Sequence, residues 1–91
     1  MSAADLTDIK HHYQRLVARA TIAEDVRVTA NTLVDALVEK HEALRTTQDF
    51  VDRLSTQADE RERAAGAAAV LAARDALYAV RQNLTRLIAP N

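Results

Sequence analysis

The sequence predicts an all-α protein: an elongated three-helix bundle built on a long antiparallel helical hairpin. Two observations predict this fold. Apolar residues return every three or four positions along most of the chain, which places them on one face of a helix. The 91 residues include a single Gly, Gly66, and a single Pro, Pro90, so nothing before residue 66 forbids continuous helix. We expect one domain over residues 1–91, because a chain of this length forms one small core.

The first helix is predicted over about residues 4–20. Ser2 and Asp5 fit a capping box at its start, and the pattern of its apolar side chains slips in phase near Thr21. Thr21 and Glu24 fit a second capping box, so we place a break or kink there. The apolar face of this helix is made by Leu6, Ile9, Tyr13, Leu16 and Ala20.

The second helix is predicted over about residues 23–56. Its apolar residues follow a heptad frame, with Lys40 and Thr47 as polar interruptions. β-branched Thr46 and Thr47 lower helix propensity, so a split into two helices at this point is the alternative.

The third helix is predicted over about residues 59–88, with Asp59 as its N-cap. A connection of only a few residues makes the second and third helices antiparallel neighbours. Their shared seam, which would form the core or an interface, consists of Leu33, Leu37, Leu44, Val51, Leu54, Val70, Leu77, Val80, Leu84 and Leu87.

Charged residues form stripes beside this seam. The ordinary interpretation is a solvated helix face whose charges pair across neighbouring helices. The alternative is that they face a partner, and the side chains concerned are Asp35, Glu42, Asp49, Arg63, Arg74, Arg81 and Arg86.

Composition and motifs disfavour several classes of function. The net charge is -1, there is no Cys, and no apolar run is long enough to span a membrane. Asp8, His11 and His12 lie close together, but adjacent His residues diverge on a helix, so we interpret them as a solvated polar face. We find no nucleophile motif and expect a non-enzymatic protein without a metal, a cofactor or a small-molecule substrate. A cytoplasmic location is the default, since no signal peptide is recognisable.

One segment resembles a known DNA-binding unit. Ala23, Val28, Thr29, Thr32 and Leu33 match the pattern Ile/Val-Ala-x-x-x-Gly-Val-Ser-x-x-Thr-Val/Leu. This pattern is similar to the helix-turn-helix of TetR-type and LacI-type repressors. The resemblance implies a first helix over residues 22–27 and a recognition helix over residues 30–39. Arg27 stands where the family has its turn Gly.

The leading hypothesis is a helical protein–protein interaction module, such as an adaptor, inhibitor, chaperone or assembly factor. About a fifth of the residues are Ala, so the core is thin and self-association would add buried area. The partner is thus expected to be another protein, a second copy, or both. The alternative is a small helix-turn-helix transcriptional regulator that uses residues 22–39 to bind DNA. A sharp bend between residues 26 and 30 would favour the regulator, whereas straight helix through Arg27 would exclude it.

Overall fold

A computed structural model describes residues 3–54 and 56–89, and over these ranges the chain is all-α. It consists of α1 (Ala3–Arg19), α2 (Glu24–Asp52) and α3 (Glu60–Ile88). The predicted fold class is confirmed: α2 and α3 pack closely as a hairpin and α1 lies against α2, in an elongated three-helix bundle. None of the helices in the described ranges is long and apolar enough to cross a membrane.

The α2–α3 hairpin is closed by side chains near its turn. Asp59 caps α3, because its Oδ1 accepts a hydrogen bond from the backbone N–H of Glu62 at 2.8 Å. Arg63 donates to the carbonyl of Thr56 at 2.7 Å. Gly66 then lets the helices approach closely, since a Cβ there would lie 3.1 Å from a methyl group of Val51.

The buried core is small and lies toward the end of the hairpin opposite its turn. Only there do all three helices meet, because α1 has 17 residues whereas α2 and α3 have 29 each. The rest of the hairpin, on the turn side, consists of α2 and α3 alone. The buried cluster comprises Val17, Ala30, Val34, Leu37, Leu77 and Leu84.

This architecture leaves an unusually large surface for the mass of the chain. The radius of gyration is 16.2 Å, whereas a compact domain of this length has about 12 Å. The accessible surface is 6435 Å², compared with about 5,200 Å² for a compact monomer of 10.0 kDa. The bundle therefore exposes roughly 1,200 Å² more than its mass requires.

The observed ends of the helices differ from the predicted ends at several points. The predicted break near Thr21 exists, but Thr21 and Glu24 form no capping box: Ala23 is the N-cap of α2 and makes no side-chain cap. At the other end α2 stops at Asp52, four residues earlier than predicted, where Leu54 N–H bonds to the carbonyl of Val51 in a tightened last turn. The predicted Ser2 cap and the Pro90 stop lie outside the described residues.

No split occurs at Thr46 and Thr47. The hydroxyl of Thr47 donates to the carbonyl of Ala43, one turn earlier, at 2.9 Å. The hydroxyls of Thr29 and Thr32 bond in the same way to Asp25 and Val28. These β-branched residues therefore satisfy their polar groups within the helix, and packing against α3 outweighs their low propensity.

The helix-turn-helix expectation fails at the backbone. α2 runs unbroken through residues 26–30, and no described residue has a positive φ. Arg27 has another role: its guanidinium donates to the carbonyls of Val17 and Ala20, at the C-terminal end of α1. The residue that replaces the turn Gly thus caps the neighbouring helix, and we do not propose DNA binding by this segment.

Candidate interaction faces of the hairpin

All ten predicted seam residues lie in the described part of the bundle and face inward to some degree. Leu37, Val70, Leu77 and Leu84 are buried, and the other six are half-buried. Four residues outside this list of ten are also buried: Val17, Ala30, Val34 and Gly66. Val34 follows Leu33 in the sequence and widens the apolar stripe of α2 on the side where α1 docks.

Most of the predicted partner-facing charges have no intramolecular partner in the described ranges. Arg63 bonds to Thr56, and Asp35 lies 4.0 Å from the ammonium of Lys10. The remaining five have exposed side chains that form neither an ion pair nor a hydrogen bond with another described residue: Glu42, Asp49, Arg74, Arg81 and Arg86. The expected pairing of these charges across neighbouring helices is therefore not formed.

On the side of the hairpin where α1 docks, the groove beyond α1 is polar. A shallow cleft of about 250 Å³ is lined by Leu44 together with His41, Arg45, Gln48, Asp49 and Arg74. His41 is half-buried there, and desolvation, with a smaller contribution from the positive charge of Arg81, lowers its pKa below 6.5. Burial and the nearby guanidinium both disfavour the protonated form of His41.

The lowered pKa of His41 predicts that stability falls in mild acid. The unfolded chain takes up the proton near pH 6.5, before the folded state does, so acidification favours unfolding. The contribution is complete above about pH 6.5 and is lost as the pH falls toward the lower folded pKa. Urea unfolding at about pH 7.5 and about pH 5.5 should show this loss in the wild type.

His41→Gln cannot titrate and should reduce the difference between the two pH values. The matched control is His12→Gln, because His12 is exposed on α1. An equal pH dependence in the wild type and in His41→Gln would contradict the assignment.

The opposite side of the hairpin, which we call the open face, has few charges along its centre, and Glu39 and Glu42 lie at its α2 edge. Around α2 it lies on the other side from Arg27 and Asp35, the residues that contact α1. Its two rows repeat at steps of four and three: Ala36, Lys40, Ala43, Thr47, Phe50 and Leu54 on α2, and Ala65, Ala69, Ala72, Ala76, Ala79 and Asn83 on α3.

Lys40 is the single charged residue in these two rows, and it is half-buried. Phe50 is the largest apolar side chain among them and is 65% exposed. No described element covers the open face.

A second concave region lies at the base of the bundle, where the connection between α1 and α2 meets the end of α3. This open cleft of about 870 Å³ has apolar walls from Leu16, Ile22, Val26, Leu87 and Ile88, with Arg19 and Arg86 at its sides. Predicted Arg86 is therefore far along α3 from Arg63 and Arg74, and the arginines do not form one cluster.

The residues considered as metal ligands all lie on the exposed surface of α1. Asp8, His11 and His12 are exposed on α1, and no group of three or more His, Asp or Glu residues in the described ranges could hold a metal ion. The fold and its surfaces thus define an all-α hairpin protein, covered by a short helix on one side and open on the other. Comparisons with protein-family models, with curated proteins and with solved structures find no significant match to this chain.

Proposed function

We propose that this protein is a non-enzymatic helical interaction module, which binds a protein partner through the α2–α3 hairpin. The observation that carries the proposal is the open face, with Phe50 exposed among small side chains. Large exposed apolar surface on a small domain is typical of a binding site for another protein. Aromatic residues at such surfaces commonly supply much of the binding energy.

The unpaired charges support a role in orienting the partner. Four exposed side chains outside the open face bond to no other described residue: Glu42, Asp49, Arg74 and Arg81. Asp49 and Arg74 line the groove on the side where α1 docks, so they do not border the open face. Charges outside the contact itself affect the rate of association and the orientation of the partner more than the affinity.

The proposal is tested by affinity capture from the organism that produces the protein. Immobilised wild type and Phe50→Asp are compared, with Leu71→Asp as the control because Leu71 is also exposed but lies outside the open face. We expect protein captured by the wild type and by Leu71→Asp to be lost with Phe50→Asp. Capture of no protein by the wild type, together with a monomeric purified chain, would refute the interaction module.

A further inference from the structure

We propose that the open face is covered by a second copy of this chain, which forms a two-fold symmetric dimer of hairpins. This inference rests on the proposed function and names its partner. It follows from three properties of the open face: its area, the single charge in its two rows and the small size of most of its side chains.

The area matches what a stable dimer needs. A helix of 29 residues is about 43 Å long, and two adjacent helices of about 10 Å diameter present roughly 860 Å² on one side. A standard interface buries about 800 Å² per partner. The surface excess of roughly 1,200 Å² over a compact monomer is large enough to supply this patch.

The distribution of charge suits contact between identical surfaces. In a two-fold interface each patch meets a copy of itself, so every charge within the patch approaches a like charge. Within its two rows the open face has only Lys40, whose half-buried stem can direct the ammonium to the edge, where Glu39 and Glu42 lie beside it. The other three sides of the hairpin carry both acids and arginines or are covered by α1, and the segregation of charge away from this one side favours self-contact.

The small side chains of the open face allow the helices of two copies to approach closely. Three exposed alanines lie on the turn half of α3, which packs against the half of α2 that carries Phe50: Ala65, Ala69 and Ala72. Small side chains form a shallow row into which a large side chain from another copy can insert. Phe50 is the anchor that this arrangement provides, once from each copy, and its burial would remove the most exposed large apolar side chain of the described residues.

The purified protein tests the inference directly. Sedimentation equilibrium of the wild type over a range of micromolar concentrations should give twice the chain mass of 10.0 kDa. Ala72→Glu places a like-charged pair or a desolvated carboxylate in the interface, so the dissociation constant should rise at least about 100-fold. Ala67→Glu is the matched control, because Ala67 is exposed on α3 outside the open face. It should dimerise like the wild type.

Far-UV circular dichroism of both variants separates dissociation from unfolding. The inference holds if Ala72→Glu is a folded monomer, or if it recovers helix only at high concentration, while Ala67→Glu remains a folded dimer. A monomeric wild type overturns it, as does a dimer that Ala72→Glu leaves intact. A monomeric wild type that still captures another protein, and loses it with Phe50→Asp, would overturn the second copy but retain the interaction module.

Discussion

Leu37→Asp is expected to unfold the entire protein. Leu37 is fully buried at the place where all three helices meet, in contact with the cluster that contains Val34 and Leu84. Truncating a buried Leu costs about 2–5 kcal/mol, and an unpaired buried carboxylate adds several kcal/mol more. A domain of this length has about 5–14 kcal/mol of stability in total, and the thin core places this one toward the low end. Far-UV circular dichroism should therefore show loss of most helical signal.

Leu71→Asp is the matched control for this prediction. It makes the same chemical change on an exposed Leu of α3, where the cost is limited to helix propensity, below about 1 kcal/mol. A cooperative unfolding transition with the wild-type midpoint in Leu37→Asp would show that the core has been placed wrongly.

The helices were predictable because their signal is periodic and local. Leu33, Leu37 and Leu44 recur at helical spacing. Apolar residues that keep this spacing over 20 or more residues can be buried together only if the chain forms a helix with one apolar face. The end of α2 was not predictable, because Leu54 continues the apolar pattern while the backbone tightens after Asp52 to enter the turn. Apolar spacing reports which side chains are buried, and the hydrogen bonding of the last turn decides where the helix ends.

The open face was not predicted from the sequence, because the buried seam was predicted from the spacing of large apolar residues. Each alanine of the α3 row contributes little area by itself, so the row does not stand out beside the larger residues of the seam. These alanines are Ala65, Ala69, Ala72, Ala76 and Ala79. The missed signal was the absence of charge at these positions, combined with an α2 row that contains Phe50 and has Lys40 as its single charged residue. The antiparallel packing of α2 on α3 then puts both rows on one side, which no single helix could reveal.

Arg27 lies in a segment that matches a known sequence pattern, but the role of its side chain is set by a tertiary contact. Five residues around it fit a helix-turn-helix pattern, yet the helix continues. The guanidinium reaches carbonyls ten and seven residues earlier in the chain. A contact of this kind depends on where α1 docks, and sequence spacing alone does not contain it.

Arg27→Ala is expected to detach α1 from the hairpin. The guanidinium satisfies two carbonyls at the negative end of the α1 dipole, those of Val17 and Ala20, and its side chain is only 27% exposed. Hydrogen bonds from a charged donor contribute about 1.5–3 kcal/mol, so we expect a loss of about 2 kcal/mol and a fall in Tm of roughly 10 °C. Limited proteolysis should cut near residues 20–23 sooner than in the wild type, because α1 opens before the hairpin does.

Two further variants decide whether the loss comes from the cap. Arg27→Lys keeps the charge but cannot bond to both carbonyls with a planar fork, so its Tm should fall between those of the wild type and Arg27→Ala. Arg53→Ala removes an exposed arginine at the other end of α2 and should leave the Tm nearly unchanged. Equal Tm values for Arg27→Ala and Arg53→Ala would refute the cap. A cap that holds α1 on one side of the hairpin also keeps the other side open, because α1 then has no access to the row that contains Phe50.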